Sequence, residues 1–515
     1  MPPSNISRGV LSVGLWTITR VSASMLATPF ISRALGTDGY GQYAYYLSVL
    51  FLAAPLANAG TLQSLSRYVA EHPDPARRAR VALLSGWICF LGFIVVGSLT
   101  GVIIAPDIPP AAGWPLIAIL LGCLGFDVLW FYARGILYGM HREDLAGTAG
   151  SAASVLTAVV SAVLAVQGFG ISGVFIGLLL GNAYMAIRSL RAARQLLPRT
   201  TLRTALASDD PRPRDLLGFT LMTMLYASLS MMLYRSGVVL VHHLTGDNTA
   251  TGFFATALQM AEFVWVLVIA VEGVMLQSTA RLWIEGRTTE ISTLVSRAVR
   301  SVSLVTGFLL TFVFVFAVDL LALYFGRPFV GAAPILRILI PGVYSFSLGR
   351  LLGPVLHARG GVLRLAAVVG GATALNALLA YLLVPHWGIM GAAVSTGTSY
   401  ALVVVPYAIS LRSFGVAVFH GFIPARQLLL FLMTGSLMAA IATIPMAVGL
   451  RVSLGGMLGG VAFVVLVLRL GLVRVAELDE VLASLPPALS SAGGPIFTRV
   501  RPLLLACAGK RQDDV

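Results

Sequence analysis

The sequence predicts an all-α polytopic membrane protein with about fourteen transmembrane helices. Three observations carry this expectation. Hydrophobic residues make up 57% of the 515-residue chain and charged residues 11%, against roughly 25% charged in a soluble domain. Apolar runs near the ~20 residues that span a ~30 Å hydrocarbon core recur from end to end. One short turn appears twice, as Gly168-Phe169-Gly170-Ile171-Ser172-Gly173-Val174 and as His386-Trp387-Gly388-Ile389-Met390-Gly391-Ala392.

The predicted helices cover approximately residues 9–33, 40–66, 81–105, 114–138, 145–167, 171–190, 216–242, 250–278, 298–323, 332–356, 362–384, 388–411, 427–449 and 453–473. Pro, Gly and charged clusters punctuate them. The first run lacks a basic segment, a short apolar core and a small-residue cleavage site in that order, so it reads as a retained helix. Residues 191–215 form a basic, Pro-containing linker between two halves. Beyond residue 475 the chain carries Pro486-Pro487 and Ser490-Ser491-Ala492-Gly493-Gly494-Pro495 and reads as a cytoplasmic tail.

The net charge is +14, nearly all of it from arginine, with Lys510 as the only lysine. The arginines sit in short loops between apolar runs, which argues against a nucleic-acid partner. Arg77, Arg78 and Arg80, Arg142, the linker, Arg281 and Arg287, Arg359 and Arg364, and Arg412 and Arg426 mark one set of loops. The alternate loops carry little charge, Arg33, Arg327 and Arg451 excepted. By the positive-inside rule both termini are cytoplasmic.

Gly170 and Gly388 stand 218 positions apart, about the length of six spans with their loops. The repeat extends further. Leu35-Gly36-Thr37-Asp38 before the second helix matches Leu244-Thr245-Gly246-Asp247 before the eighth, and Leu137-Tyr138-Gly139-Met140-His141-Arg142 matches Leu356-His357-Ala358-Arg359-Gly360. An even number of helices per copy makes the two six-helix repeats parallel. Many secondary transporters are built this way, with cargo held between the copies. The predicted divisions are an N-lobe with the linker (1–208), a C-lobe (209–414), two extra helices (415–475) and the tail (476–515).

The run Ser32-Arg33-Ala34-Leu35-Gly36-Thr37-Asp38-Gly39-Tyr40-Gly41-Gln42-Tyr43 resembles the amino-terminal signature of Wzx-type polysaccharide-unit flippases. That family lies within the multidrug/oligosaccharidyl-lipid/polysaccharide exporter superfamily. Leu323-Tyr324-Phe325-Gly326-Arg327-Pro328-Phe329, Ala333-Pro334-Ile335-Leu336-Arg337 and Pro385-His386-Trp387-Gly388-Ile389 follow the family's order. The resemblance implies two six-helix lobes in a V and alternating access without an enzyme's chemistry. It also implies a lipid-linked oligosaccharide as cargo, a bacterial plasma membrane location, and polysaccharide-assembly proteins as partners. Lipid II flippases carry an arginine slightly beyond the position matched by Arg20. Here that stretch is Ser24-Met25-Leu26-Ala27, which argues against lipid II itself.

A mid-membrane arginine costs ~2.5–3.5 kcal/mol on insertion scales, so it faces a cavity or a partner. Arg20 and Arg235 fall midway along the first and seventh helices. Arg134 and Arg350, 216 positions apart, fall on the fourth and tenth. These four are the expected substrate-binding residues, because a guanidinium fork matches phosphate oxygens. Asp127, seven residues before Arg134, and Glu262 and Glu272 on the eighth helix are the expected coupling acids. Asp38 and Asp247 read as helix N-caps. Tyr40, Tyr43, Tyr45 and Tyr46 read as interfacial belt and packing. His242-His243 reads as an interfacial pair at a helix end and not as a metal site.

No metal or cofactor is expected. The cysteines, Cys89, Cys123 and Cys507, have no ligand spacing and read as small apolar residues. A P-loop needs Gly-Lys followed by Ser or Thr, and Lys510 precedes Arg511. The loop at 105–113 holds one acid, Asp107, and Asp209-Asp210 lies in the linker, so neither side presents an enzyme's acid–base set. The alternatives are an ion-coupled multidrug or small-solute antiporter, which favours an acid-lined cavity, and a non-transporting membrane scaffold.

Overall fold

The computed structural model describes residues 3–71, 74–108, 113–197 and 213–473, with side chains from 15 and, after the linker, from 216. Most of the linker and the tail from residue 474 lie outside the described residues, as does Cys507. The helices in order are α1 (Pro3–Ala57), α2 (Thr61–Glu71), α3 (Pro75–Ile104), α4 (Gly113–Gly139), α5 (Glu143–Leu164), α6 (Gly170–Leu196), α7 (Pro213–Thr245), α8 (Asn248–Glu262), α9 (Trp265–Ile284), α10 (Thr288–Val315), α11 (Ala317–Tyr324), α12 (Ala333–Ala358), α13 (Val362–Trp387), α14 (Ile389–Arg412), α15 (Pro424–Ala442) and α16 (Val448–Arg469). The described residues contain no β-strand.

Among the described residues, twelve segments are long and apolar enough to cross a membrane. Two of them, Leu15–Glu71 with 57 residues and Glu143–Leu196 with 54, each have room for two crossings of ~20 residues. The chain is a multi-pass membrane protein. Three predicted helices are broken. The second ends at Ala57 and resumes at Thr61, because Pro55 removes a backbone donor and Ala59 and Gly60 take positive φ of 50° and 73°. The eighth is α8 and α9, and the ninth is α10 and α11.

The duplicated turn has one backbone in both copies. Gly170 has φ 58° and ψ −144°; Gly388 has φ 56° and ψ −139°. A side chain at either place would be strained. Each turn folds its second helix tightly onto the first. A Cβ at Gly173 would lie 2.9 Å from the Leu164 Cβ, and one at Gly391 would lie 2.5 Å from the Leu383 carbonyl oxygen. Before the second and eighth predicted helices, Gly36 and Gly246 likewise share positive φ, 68° and 64°.

The chain divides into two compact units, which are not the two sequence halves. The first comprises residues 1–260, 324–342 and 360–406; the second comprises 261–323, 343–359 and 407–515. In the first unit, α1 meets α8 through reciprocal glycines. A Cβ at Gly41 would lie 1.8 Å from the Asn248 carbonyl oxygen, and one at Gly252 would lie 2.4 Å from that of Thr37. Small residues permit that approach between apolar helices. The Tyr324–Phe329 motif packs on the same part of α1. Tyr324 donates to the Met25 carbonyl (2.8 Å), Ser32 donates to that of Phe325 (3.1 Å), and Tyr40 lies edge-on to Phe325 and Phe329.

In the second unit, α15 and α16 pack on α10 and α11. Gln427 donates to Ser303 (3.0 Å) and Arg451 forms a two-pronged ion pair with Asp319. That pair explains an arginine on the otherwise charge-poor side.

Candidate functional site

In the first unit, residues of six helices, α1, α2 and α4 to α7, line a cavity of about 680 Å³. Helical spacing aligns them. On α1 the lining residues include Trp16, Arg20, Ser24, Ala27 and Ile31; on α4 they are Asp127, Trp130, Phe131 and Arg134. Steps of three and four residues keep side chains on one stripe. Helices α5, α6 and α7 contribute mainly small and neutral polar groups, including Thr157, Asn182 and Ser230.

The charged centre of the cavity is Arg20 with Arg134. Both guanidinium groups lie over one indole: Arg20 is 5.6 Å and Arg134 is 4.9 Å from the Trp16 ring centre. Arg134 also lies 5.0 Å from the Trp130 ring and 4.7 Å from the Tyr138 ring, and donates to the Tyr138 hydroxyl at 2.7 Å. Trp16 and Trp130 meet edge-to-face at 5.7 Å. The attraction of a cation to an aromatic face holds both guanidinium groups in place without consuming their charge. Among the described residues, no carboxylate comes within ion-pair distance, 4.0 Å, of either one. Asp127 lines the same cavity, half-buried, without forming an ion pair with Arg134. The lining thus carries two positive charges and one negative.

The other expected site residues fall elsewhere. Arg235 follows the lining residue Tyr234 and stands 5.4 Å from the ring of Phe51, itself part of the lining. Arg350 belongs to the second unit. There its Nε donates to Glu272 Oε1 at 2.5 Å and its Nη2 to Oε2 at 3.1 Å, with Trp265 5.0 Å from the guanidinium. An expected binding residue and an expected coupling acid therefore form one internal pair, with side chains 14% and 22% exposed. Glu262 ends α8 and is half-buried.

One smaller expectation is corrected. Asp247 caps α8, accepting from the Thr249 N–H at 2.8 Å, but Asp38 makes no such bond after the break in α1 at Gly36. Of the belt and packing expected of Tyr45 and Tyr46, the structure shows packing. Both are fully buried and donate to Asp107, Tyr45 to Oδ2 and Tyr46 to the carbonyl oxygen, each at 2.7 Å. Cys89 and Cys123 are buried and free, as small apolar residues should be.

Trp16, Trp130 and Tyr138 were missed in the sequence. Their signal was present: Trp16–Arg20, Trp130–Arg134 and Arg134–Tyr138 are each four residues apart, the spacing that stacks side chains along a helix.

The family model described as polysaccharide biosynthesis protein matches residues 6–276, just over half of the chain. The chain belongs to this family. This polysaccharide biosynthesis family member has no match among curated protein sequences. Its fold has solved counterparts. It is similar to the lipid II flippase MurJ in an inward closed conformation, with 12% identity and a TM-score of 0.65 over 91% of this chain and 99% of that one. It is also similar to an inward-facing multidrug resistance transporter of the MATE family and MOP superfamily, with 17% identity and a TM-score of 0.62 over 78% and 99% of the two chains. A third counterpart is a MOP superfamily transporter from Pyrococcus furiosus, described as having a binding pocket of reversed polarity, with 16% identity and a TM-score of 0.55 over 79% and 95%. At these identities the likeness establishes the fold of the MOP transporters.

Proposed function

We propose that this protein is a flippase. It moves a polyprenyl-pyrophosphate-linked oligosaccharide from the inner to the outer leaflet by alternating access, for the synthesis of cell-surface polysaccharide. One observation carries the reading: two guanidinium groups share a cavity in membrane-spanning helices and have no carboxylate partner within ion-pair reach. An uncompensated charge in a low-dielectric site is costly, and an anionic ligand removes that cost. Pyrophosphate supplies the anion, and its oxygens suit the guanidinium fork. Trp16, Tyr43 and Phe51 offer faces for a sugar, and Asn58 and Asn182 offer amides for its hydroxyls. The polyprenyl chain stays in the lipid.

In this reading Asp127 tunes the cavity. A proton on its carboxyl would leave two positive charges facing the cargo and tighten binding; its loss would aid release. Glu262 and Glu272 are the other proposed coupling acids, and Glu272 acts only when its pair with Arg350 opens. The membrane is the bacterial plasma membrane, with both termini cytoplasmic, and polysaccharide-assembly proteins are the proposed partners.

The test is reconstitution of the purified chain in liposomes with a fluorescent pyrophosphate-linked sugar lipid, reading how much of it changes leaflet. Cargo movement above empty liposomes supports the reading. A second reading, export of cationic drugs by antiport, is favoured by Asp127. Movement of cationic dyes but not of the anionic lipid would decide for it.

A further inference from the structure

A cluster remote in sequence assembles at the end of α7. Helix α3 runs into a 3-10 turn, Ala105–Asp107, which carries Asp107. The last turn of α7 carries His242 and His243. The three ligand atoms of Asp107, His242 and His243 lie within 4.8 Å of one another. The structure assigns a new site here: we propose that these three residues bind one divalent transition metal ion of the Zn²⁺ class.

The supporting geometry is specific. His242 Nε2 lies 3.6 Å from Asp107 Oδ1. That is too long for a hydrogen bond, but it is close to the ~3.3–3.5 Å that separates two ligands on a tetrahedral ion with bonds of 2.0–2.2 Å. His242 is only 8% exposed, yet its Nδ1 has no hydrogen-bond partner. A metal bond at Nε2, the ring nitrogen that faces Asp107, offsets part of the cost of burying the imidazole.

The surroundings act as supports. Tyr45 stacks on the His242 ring, with centroids 3.8 Å apart and planes 17° apart. The Tyr45 hydroxyl donates to Asp107 Oδ2 at 2.7 Å and lies 3.4 Å from His243 Nε2. Tyr46 and Gln42 hold the Asp107 carbonyl. Hydrogen bonds of this kind orient carboxylate and imidazole ligands. His243 is exposed, so an aqueous ion has access. Two imidazoles and one carboxylate suit Zn²⁺ or its Co²⁺ surrogate, with a fourth position for water. A bound ion would join the turn after α3 to the end of α7.

The experiment uses the full chain, purified in detergent without a histidine tag, titrated with Co²⁺ and then Zn²⁺. Saturable binding of one Co²⁺ per chain is expected, with the visible absorption of a tetrahedral complex, displaced by one equivalent of Zn²⁺. Y45F should weaken binding by ~10–100-fold, as loss of a supporting hydrogen bond does, and D107N and H243Q by more than ~100-fold. Exposed His243 makes H243Q the variant that keeps its fold, checked by an unchanged metal-free melting temperature. Absence of saturable binding in the wild type overturns the proposal. So does wild-type affinity in a folded H243Q or D107N. The readout is binding and does not depend on the flippase reading.

Discussion

Replacing Arg20 by alanine separates the two duties that an arginine in this cavity can have. The guanidinium carbons of Arg20 and Arg134 lie 5.6 Å and 4.9 Å from the Trp16 ring centre, so they are no more than 10.5 Å apart. At an effective dielectric constant of about 20, two like charges at that separation repel by at least ~1.6 kcal/mol. Removing Arg20 relieves this repulsion and forfeits a cation–aromatic contact of ~0.5–1 kcal/mol. The ligand-free variant should therefore melt at or slightly above the wild-type temperature. Cargo binding responds in the opposite direction. A hydrogen bond to a charged group contributes ~1.5–3 kcal/mol, which is ~10–150-fold in affinity. R20A, and R134A likewise, should bind the pyrophosphate lipid ~10–150-fold more weakly, and the double variant should lose transport. R20K should fall between, because it keeps the charge and loses the fork. Wild-type transport in a folded R20A/R134A double variant would refute the anion site. A variant that unfolds in the absence of ligand would refute the claim that these arginines are held for a ligand.

Three further outcomes follow from other parts of the molecule. E272A removes the carboxylate that Arg350 holds on two prongs and should destabilise by ~3 kcal/mol, read as a lower melting temperature. R350M/E272L should recover that stability, and a stable but inactive double variant would give Arg350 a role beyond folding. G41A forces a Cβ to within 1.8 Å of the Asn248 carbonyl oxygen and should cost ~1–3 kcal/mol or more by overpacking; full thermal stability would refute the close α1–α8 approach. At the surface, hydrogen bonds from Arg281 and then Arg287 hold the Glu285 carboxyl below its usual range. Its contribution is present above the ordinary carboxylate range and is lost as pH falls below it. Because the group is exposed, E285Q should leave the melting temperature at neutral pH unchanged, and high salt should erase any difference.

What could be read in the sequence followed the range of each interaction. The helices and the duplicated turn were legible because they depend on local chemistry: apolar runs near 20 residues, and glycines where φ is positive. Gly170 and Gly388 carry the same conformation because the same short sequence surrounds them. The stripe of Trp16 and Arg20 and that of Trp130, Arg134 and Tyr138 were legible in principle, since each lies within two helical turns. That Trp16 joins them was not, because it requires α1 to pack beside α4. The Arg350–Glu272 pair spans 78 positions, and no local pattern marks it. Asp107 and His242 were equally hidden. One ends a helix, the other ends a helix 135 positions later, and only the tertiary fold brings them to 3.6 Å. The break at Ala59–Gly60 was missed for another reason. A single Pro55 in an apolar run is compatible with a kinked helix, and only the packed turn shows a full interruption.

The two arginines set 216 positions apart, Arg134 and Arg350, differ in how the protein compensates their charge. Each has a tryptophan beside the guanidinium, Trp130 on the same helix in one case and Trp265 on another helix, α9, in the other. Their counter-charges differ. Arg350 has Glu272 within hydrogen-bond distance on two prongs, so its charge is satisfied by the protein. Arg134 has a neutral phenol in the corresponding role and shares Trp16 with Arg20. A buried ion pair can be replaced by apolar residues with little loss, whereas a lone charge in a cavity is retained only if something outside the protein compensates it. Under the proposed reading that compensation is the cargo's pyrophosphate. Supplying the missing acid internally should therefore inactivate the cavity. Y138E places a carboxylate four residues from Arg134, on the same helix face, and should raise thermal stability while abolishing binding of the anionic lipid. Retained binding in Y138E would show that Arg134 does not meet the cargo.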